Sequence, residues 1–129
     1  DNFLTFWFRF IFKYNYMLEI SGFDRLREIV ERDYDTFSGY MLERYFREKG
    51  IESGMFTRIG GWWNRKGQCE IDLVEVDEMS ESVKVFEIKR NPERIDMRLV
   101  EEKVKEFLSV VKELHGYDVK AGALSLQDM

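Results

Sequence analysis

The chain has 129 residues, of which 44% are hydrophobic and 35% are charged, and its formal net charge is −5. This length and composition indicate one globular domain with a real core, and the acidic balance excludes a broadly basic surface of the kind that coats nucleic acid. The lone cysteine, Cys69, excludes an internal disulfide and predicts a reducing cytoplasm as the location.

The first predicted element is an aromatic-rich helix. Aromatic residues recur at helical spacing, at Phe3, Phe6, Trp7, Phe10 and Tyr14. Because apolar side chains occupy the other faces too, this helix needs partners on several sides, and we expect a neighbouring domain to cover part of it. A helix lying on a membrane surface is the less favoured alternative, and no segment is long and apolar enough to cross a membrane. Because the sequence starts at Asp1 rather than Met, we expect a fragment or a processed chain, such as the tail of a longer protein.

Residues 1–34 are therefore interpreted as an N-terminal helical segment, and residues 35–129 as the main domain. The stretch "SGFDRLREIVERD" has a short amphipathic pattern, and "DTFSGYMLERYFREKG" predicts a second helix. One of Asp35, Thr36 and Ser38 is expected to cap the start of this second helix. Gly50 is expected to end it.

Three strands are predicted next. The stretch "MFTRIGGWWNRKGQCEIDLVEVD" is typical of a hairpin with its turn at "NRKG", where Gly67 suits a positive φ. Alternation along the second arm places Cys69, Ile71 and Leu73 on one face and Asp72 on the other. The stretch "SVKVFEIKR" is the third strand, and Pro92 ends the run.

The last elements are an amphipathic helix and a strand. The region "RLVEEKVKEFLSVVKELHG" carries an apolar stripe and is expected to stop at Gly116, and "YDVKAGALSL" predicts the final strand. A strand, helix and strand in succession favour an α/β fold, with a mixed sheet flanked by helices.

Polar side chains interrupt two of the predicted strands where apolar ones are expected. Asp72 lies in "EIDLVEV", and Glu87 and Lys89 lie in "VFEIKR". Glu87 and Lys89 share a face because side chains two apart on a strand point the same way. Carboxylates in an apolar sheet cost several kcal/mol unless they are compensated. Asp72 and Glu87 are therefore predicted to bind Mg²⁺ or Mn²⁺, with Lys89 positioning an attacking water or stabilising charge on phosphate.

These motifs resemble the PD-(D/E)xK signature of the restriction-endonuclease-like nuclease superfamily. The resemblance implies a mixed sheet flanked by helices, in the order αβββαβ, after the aromatic-rich helix. It also implies a further acidic residue in the first helix of that core, for which Glu43 in "GYMLERYF" is the candidate. Ile71 stands where the signature has proline, and Glu70 is assigned at most a supporting role.

A narrower resemblance covers nearly the whole chain. The stretches "DNFLTFWFRF", "IGGWWNRKGQCEIDLVEV", "FEIKR" and "GALSL" are similar to the uncharacterised C-terminal domain of archaeal-type AAA ATPases. The resemblance implies that a P-loop ATPase domain and a winged helix precede this segment. No GxxxxGK[ST] motif is present here, so the ATPase is expected as a partner in cis outside this chain.

Two functions follow as hypotheses. The first is Mg²⁺-dependent cleavage of phosphodiester bonds in DNA by Asp72, Glu87, Lys89 and Glu43. The second is a non-catalytic module that binds DNA, the ATPase or another protein, in which the same charges form a buried ion network. An oligomerisation cap for the ATPase is a weaker third reading.

A tryptophan pair, three arginines and the single histidine each have a structural and a functional interpretation. The rings of Trp62 and Trp63 point to opposite faces, so one is expected to pack and the other to be exposed; packing is favoured over stacking on bases. Arg90, Arg94 and Arg98 would contact a nucleic-acid backbone if they line the cleft. An ordinary charged helix start is favoured for them. His115 is interpreted as a residue of a helix end rather than a ligand or base.

Overall fold

The computed structural model describes residues 2–129; Asp1, on which the interpretation of the chain's start depends, lies outside them. The chain divides into two compact units, Asp1–Met41 and Leu42–Met129, and each is described by itself. Within residues 2–129, no helix combines the length and the hydropathy that crossing a bilayer requires.

The first unit is built from helices. It contains α1 (Asn2–Phe6), a π-helix (Trp7–Phe12) and the beginning of α2 (Asn15–Ser53). The buried ring of Phe10 forms its centre and meets the ring of Phe37 edge-on, with centroids 5.3 Å apart. Many of the other aromatic side chains in this unit are exposed, so burial of the aromatic-rich segment is only partial.

The second predicted helix is not a separate element, because α2 runs without interruption through residues 35–53. Ser38 donates to the carbonyl oxygen of Asp35 instead of capping a helix start. Gly50 lies inside the helix, where glycine is tolerated at a cost of about 1 kcal/mol. The helix ends at Ser53, followed by Gly54 with φ of +66°, the left-handed conformation typical of a residue just past a helix end. The caps and the end predicted at Gly50 were therefore wrong.

The second unit contains a four-stranded mixed sheet in the order β1-β2-β3-β4. Its strands are β1 (Arg58–Trp63), β2 (Glu70–Asp77), β3 (Ser82–Ile88) and β4 (Asp118–Leu124). The first three strands pair antiparallel, and β4 pairs parallel to β3. A parallel connection requires a crossover, which contains α3 (Met97–Val110). The predicted mixed α/β class and the strand order along the chain are confirmed.

The turn between β1 and β2 also forms as predicted. The backbone amide of Gly67 donates to the carbonyl of Asn64 at 3.0 Å, and Gly67 adopts φ of +70°. The side chain of Asn64 accepts from the amides of Gln68 and Cys69.

Two apolar clusters hold helices on the two faces of the sheet. The larger joins strands and α3, through residues that include Val74, Val76, Val83, Val85, Val100, Val104 and Phe107. The smaller joins the sheet to the C-terminal part of α2, through Leu42, Phe46, Leu73 and Ile88. Flanking helices are therefore present on both faces, as the sequence predicts.

The last helix is shorter than its apolar pattern predicts. It starts after Asp96, whose side chain accepts from the amide of Arg98 at 3.0 Å, and it ends at Val110 rather than at Gly116. A short 3₁₀ helix, Lys112–Leu114, then brings Leu114 into the larger cluster. The stripe is buried as predicted, although two elements contribute to it.

Candidate functional site

The register of the β1–β2 ladder shifts by one residue next to Asp72. Gly60 pairs with Val74, but Trp62 pairs with Ile71, so β2 has an extra residue opposite Gly61. Such a bulge changes the direction in which the following side chains point. Ile71 consequently packs in the larger cluster and Leu73 in the smaller one, and the prediction that both share one face was wrong.

The carboxylate of Asp72 takes part in the joining of β2 and β3. Regular pairing of these strands runs from Asp77 opposite Ser82 to Leu73 opposite Phe86. Beyond that pair, the amide of Ile88 donates to Oδ2 of Asp72 at 2.8 Å. A side-chain oxygen therefore accepts a hydrogen bond at the end of the ladder, which fixes the position of one oxygen of Asp72.

Glu87 is buried and bound by two lysines. Lys103 of α3 donates to its two carboxylate oxygens, at 3.3 Å to Oε1 and 3.1 Å to Oε2. The ammonium of Lys89 lies 3.4 Å from Oε1. The side chain of Glu87 is 10% exposed and that of Lys89 is 45% exposed, so Lys89 belongs to the outer, accessible side of the cluster.

Glu43 contributes a third carboxylate from α2. Burial, with the negative charge of Asp72 as the next cause, raises the pKa of the Glu43 carboxyl to about 7. The positive charges of Arg47 and Lys89 act in the opposite direction, and Glu70 adds a further raising effect. Glu43 therefore changes its charge near neutral pH and is close enough to Asp72 for the two to interact.

The pKa of Asp72 is also raised. Burial is the main cause, and the negative charge of Glu87 adds to it. The hydrogen bond from Ile88 and the positive charges of Lys89 and Lys103 oppose this rise. Asp72 thus interacts with Glu43 and with Glu87, and it connects the three acids.

The chemistry of these donors fits a hard divalent cation. Mg²⁺ is commonly bound by one or two carboxylates, several waters and substrate oxygens, and Asp72 and Glu87 supply two carboxylates. Burial raises the pKa of Asp72 because it disfavours the ionised form, and a nearby cation would offset that cost. Across residues 2–129, however, no three His, Cys, Asp or Glu side chains are grouped so that they would hold a metal ion by themselves.

The structure brings Asp72, Glu87, Lys89 and Glu43 into one electrostatically coupled cluster. Sequence reasoning missed Lys103, which makes the shorter ion pair with Glu87. A signal for it existed, because Lys103 directly precedes Val104 of the apolar stripe and so lies at the edge of the buried helix face. Arg47 was missed too, although it lies one helical turn after Glu43.

Residues with more ordinary interpretations behave largely as expected. The ring of Trp62 packs against that of Phe107 with centroids 5.3 Å apart, whereas Trp63 is 68% exposed. Arg94 and Arg98 are exposed, and their contact with nucleic acid stays a prediction. His115 is exposed, and its Nε2 lies 3.1 Å from the carbonyl oxygen of Leu108.

Comparison with known proteins places these features in a family. The sequence model of DUF234, described as archaeal and bacterial proteins of unknown function, matches residues 7–107. An uncharacterised protein of Methanocaldococcus jannaschii is 33% identical over 96 residues. The match covers 69% of this chain and 21% of the relative, so it spans about a fifth of the relative's length. No solved structure matches the chain.

Proposed function

The chain belongs to the DUF234 family of archaeal and bacterial proteins, and from that premise we propose that its sheet unit is a nuclease-like domain that cleaves DNA phosphodiester bonds with Mg²⁺ or Mn²⁺. The observation that carries this proposal is the cluster at the bulged end of β2, where Asp72, Glu87 and Lys89 meet beside Glu43.

A restriction-endonuclease-like core is part of the proposal. The observed order of a helix, three antiparallel strands, a crossover helix and a parallel strand supports it. In that fold Asp72 and Glu87 would hold the cation, which supplies Lewis-acid polarisation of a phosphate group and a more acidic water. Fold alone does not establish activity, so the chemistry is argued from the side chains.

The residues of the chain have distinct roles in this proposal. Lys103 holds both oxygens of Glu87 in place. Lys89 is partly exposed beside Glu87, where its ammonium can orient an attacking water and balance charge that develops on phosphate. Glu43, with a pKa of about 7, can take up a proton at neutral pH, because a general base works best when its pKa lies near the working pH.

The location and cis partner belong to the same proposal. We place the domain in a reducing cytoplasm because its lone Cys69 is a buried, unbridged thiol. The domain is proposed to act with an ATPase domain of the same polypeptide. The much greater length of the archaeal relative and the exposed aromatic side chains of the first unit support that arrangement.

A second candidate is a non-catalytic module that binds DNA or protein and regulates the ATPase. One observation favours it: Glu87 already has two lysines as partners, so its charge is balanced without a metal. Buried ion networks of this kind can be purely structural.

Calorimetric titration with Mn²⁺ separates the two candidates. Asp72→Asn removes a negative charge but keeps an oxygen that can accept from Ile88, and Asp77→Asn is the matched control at the other end of β2. We expect saturable binding by the wild type and the control, and at least about tenfold weaker binding by Asp72→Asn. Thermal unfolding verifies that each variant is folded. If the folded wild type binds no Mn²⁺, the metal-dependent proposal fails and the regulatory module is favoured.

A further inference from the structure

The guanidinium of Arg47 has an unmet hydrogen-bonding capacity inside the second unit. Its Nε is buried and has no hydrogen-bond partner within residues 2–129. Buried polar atoms of proteins are nearly always paired, so an exception requires an explanation, such as a bound ion. Leaving such a donor unpaired costs about 1–3 kcal/mol, and more for a charged group.

The position of Arg47 connects it with the carboxylate cluster. It lies four residues after Glu43 on α2, and residues at this spacing share a helix face. Its positive charge lowers the pKa of Glu43 against the stronger raising effects. The guanidinium is therefore close to the acid that the proposed function uses as a base.

Arg47 also reaches the bulge that positions Asp72. A Cβ built on Gly61 would lie 4.0 Å from Nη2 of Arg47 and 3.5 Å from the carbonyl oxygen of Asp72. Gly61 is the residue opposite the extra residue of β2. The guanidinium of Arg47 therefore lies beside Gly61, at the point where the ladder is irregular.

We propose that Arg47 binds a non-bridging oxygen of a phosphate group in the backbone of the polynucleotide substrate. Guanidinium donors suit phosphate because their planar fork matches two oxygens, and Nε is one of the donors of that fork. Lys89 and Lys103 add further positive charge close to Asp72, which also favours a phosphate group here.

This inference deepens the proposed function and rests on it for the identity of the substrate. The contact itself needs no metal, since a guanidinium binds phosphate directly. A purely structural Arg47, which only balances Glu43, would alter stability and the pKa of Glu43 when substituted. It would not alter the affinity for a polyanion beyond the loss of one surface charge.

The test is binding of a fluorescently labelled double-stranded DNA oligonucleotide to the whole chain in EDTA, at several salt concentrations. The variants are Arg47→Gln, Arg47→Lys and the matched control Arg44→Gln. Arg44 lies on the same helix and is paired with Glu48 at 2.9 Å, and its substitution removes the same charge.

We expect Arg47→Gln to weaken binding about tenfold and to lower the salt slope by about one. Arg47→Lys should fall between this variant and the wild type, because it keeps the charge and loses the fork, and Arg44→Gln should bind within about twofold of the wild type. The lysine variant also retains a test of the contact if the glutamine variant does not fold.

Equal weakening of DNA binding by Arg47→Gln and Arg44→Gln would overturn the inference, because overall charge would then explain binding. Absence of DNA binding by the wild type would overturn it as well. Failure of the proposed function gives a different result. Arg47-dependent DNA binding without any Mn²⁺ site would retain the phosphate contact and reject cleavage. A Mn²⁺ site with unchanged DNA binding by Arg47→Gln would reject the contact alone.

Discussion

The two ends of the β2–β3 pair are built on different principles. At the regular end, residues 74–77 pair with residues 82–85 in an unbroken antiparallel ladder, and the valines there fill the cluster against α3. At the polar end, regular pairing of the two strands stops at Leu73 opposite Phe86. There the β1–β2 register shifts, and a carboxylate accepts the hydrogen bond from Ile88.

The comparison indicates that the regular end mainly stabilises the fold, whereas the polar end contains the side chains of the candidate site. A buried valine contributes through burial of apolar surface, whereas buried carboxylates with raised pKa values oppose folding when they are ionised. The regular end is not wholly apolar, because it contains the buried Glu75. That residue stands opposite Lys84 in the ladder, and the lysine charge offsets part of the rise that burial causes in the pKa of Glu75.

The largest effect is expected from Lys89→Met at the polar end. If Lys89 orients water and balances charge on phosphate, cleavage of DNA should fall about 100-fold or more. Stability should change little, because the side chain is 45% exposed. Lys120→Met on β4 is the control, since Lys120 is exposed and stands beside Lys84 of the regular end. If Lys89→Met and Lys120→Met cleaved DNA at equal rates, the polar end would have no special role in cleavage.

Val85→Ala at the regular end should lower the free energy of unfolding by about 2 kcal/mol. Val85 is 1% exposed and packs in the larger cluster, so the substitution leaves a cavity there. Mn²⁺ affinity should remain within about twofold of the wild type. Urea unfolding and calorimetry measure the two quantities, and a large loss of Mn²⁺ binding would show that the ends are not independent.

Glu43→Gln should change how stability depends on pH by about 1–2 kcal/mol, after allowance for partial exposure of the side chain. The pKa of Glu43 is raised from 4.5 to about 7 in the folded chain, so the folded state binds the proton more tightly. The favourable contribution is complete below about pH 4.5 and is lost as the pH rises through about 7. Asp72, whose pKa is also raised, acts in the same direction.

The Glu43→Gln variant should therefore be more stable than the wild type at pH 8, and its stability should vary less between pH 5 and pH 8. Chemical denaturation at a series of pH values measures this. The expected sign would be contradicted if the free energy of unfolding of the wild type, relative to that of Glu43→Gln, increased between pH 5 and pH 8.

The smallest expected effect is a difference in stability between alanine substitutions at the neighbouring residues Gly60 and Gly61. A Cβ on Gly61 would lie 3.3 Å from the carbonyl oxygen of Ile71, whereas a Cβ on Gly60 would have no heavy atom of the described residues within 4 Å. We expect Gly61→Ala to cost about 1 kcal/mol and Gly60→Ala to be neutral or slightly stabilising. Thermal unfolding of the two variants compares a bulged with a regular position on one strand. Equal costs would show that the bulge does not depend on the close approach at Gly61.

The α/β class could be predicted from the sequence because its signals are local. Gly67 marks its turn, Pro92 follows the third strand, and the stripe of α3 repeats with helical period. Asp72, Glu87 and Lys89 could be recognised from the sequence, because each is a charged residue in a stretch that is otherwise mostly apolar. The end predicted at Gly50 was wrong because a glycine alone does not end a helix whose neighbours continue to pack.

The sequence by itself determined the four strands, their order along the chain and the charged side chains in those strands that need a compensating partner, since these follow from periodicity and from the cost of burying charge. It did not determine where the helices begin and end. Only the tertiary structure decided the register shift opposite Gly61, the pairing of Glu87 with Lys103 and the lack of a partner for the Nε of Arg47 among residues 2–129. These features depend on contacts between residues far apart in the chain. Local pattern does not encode which side chains of separate elements meet, because many arrangements satisfy the same pattern, and packing selects among them.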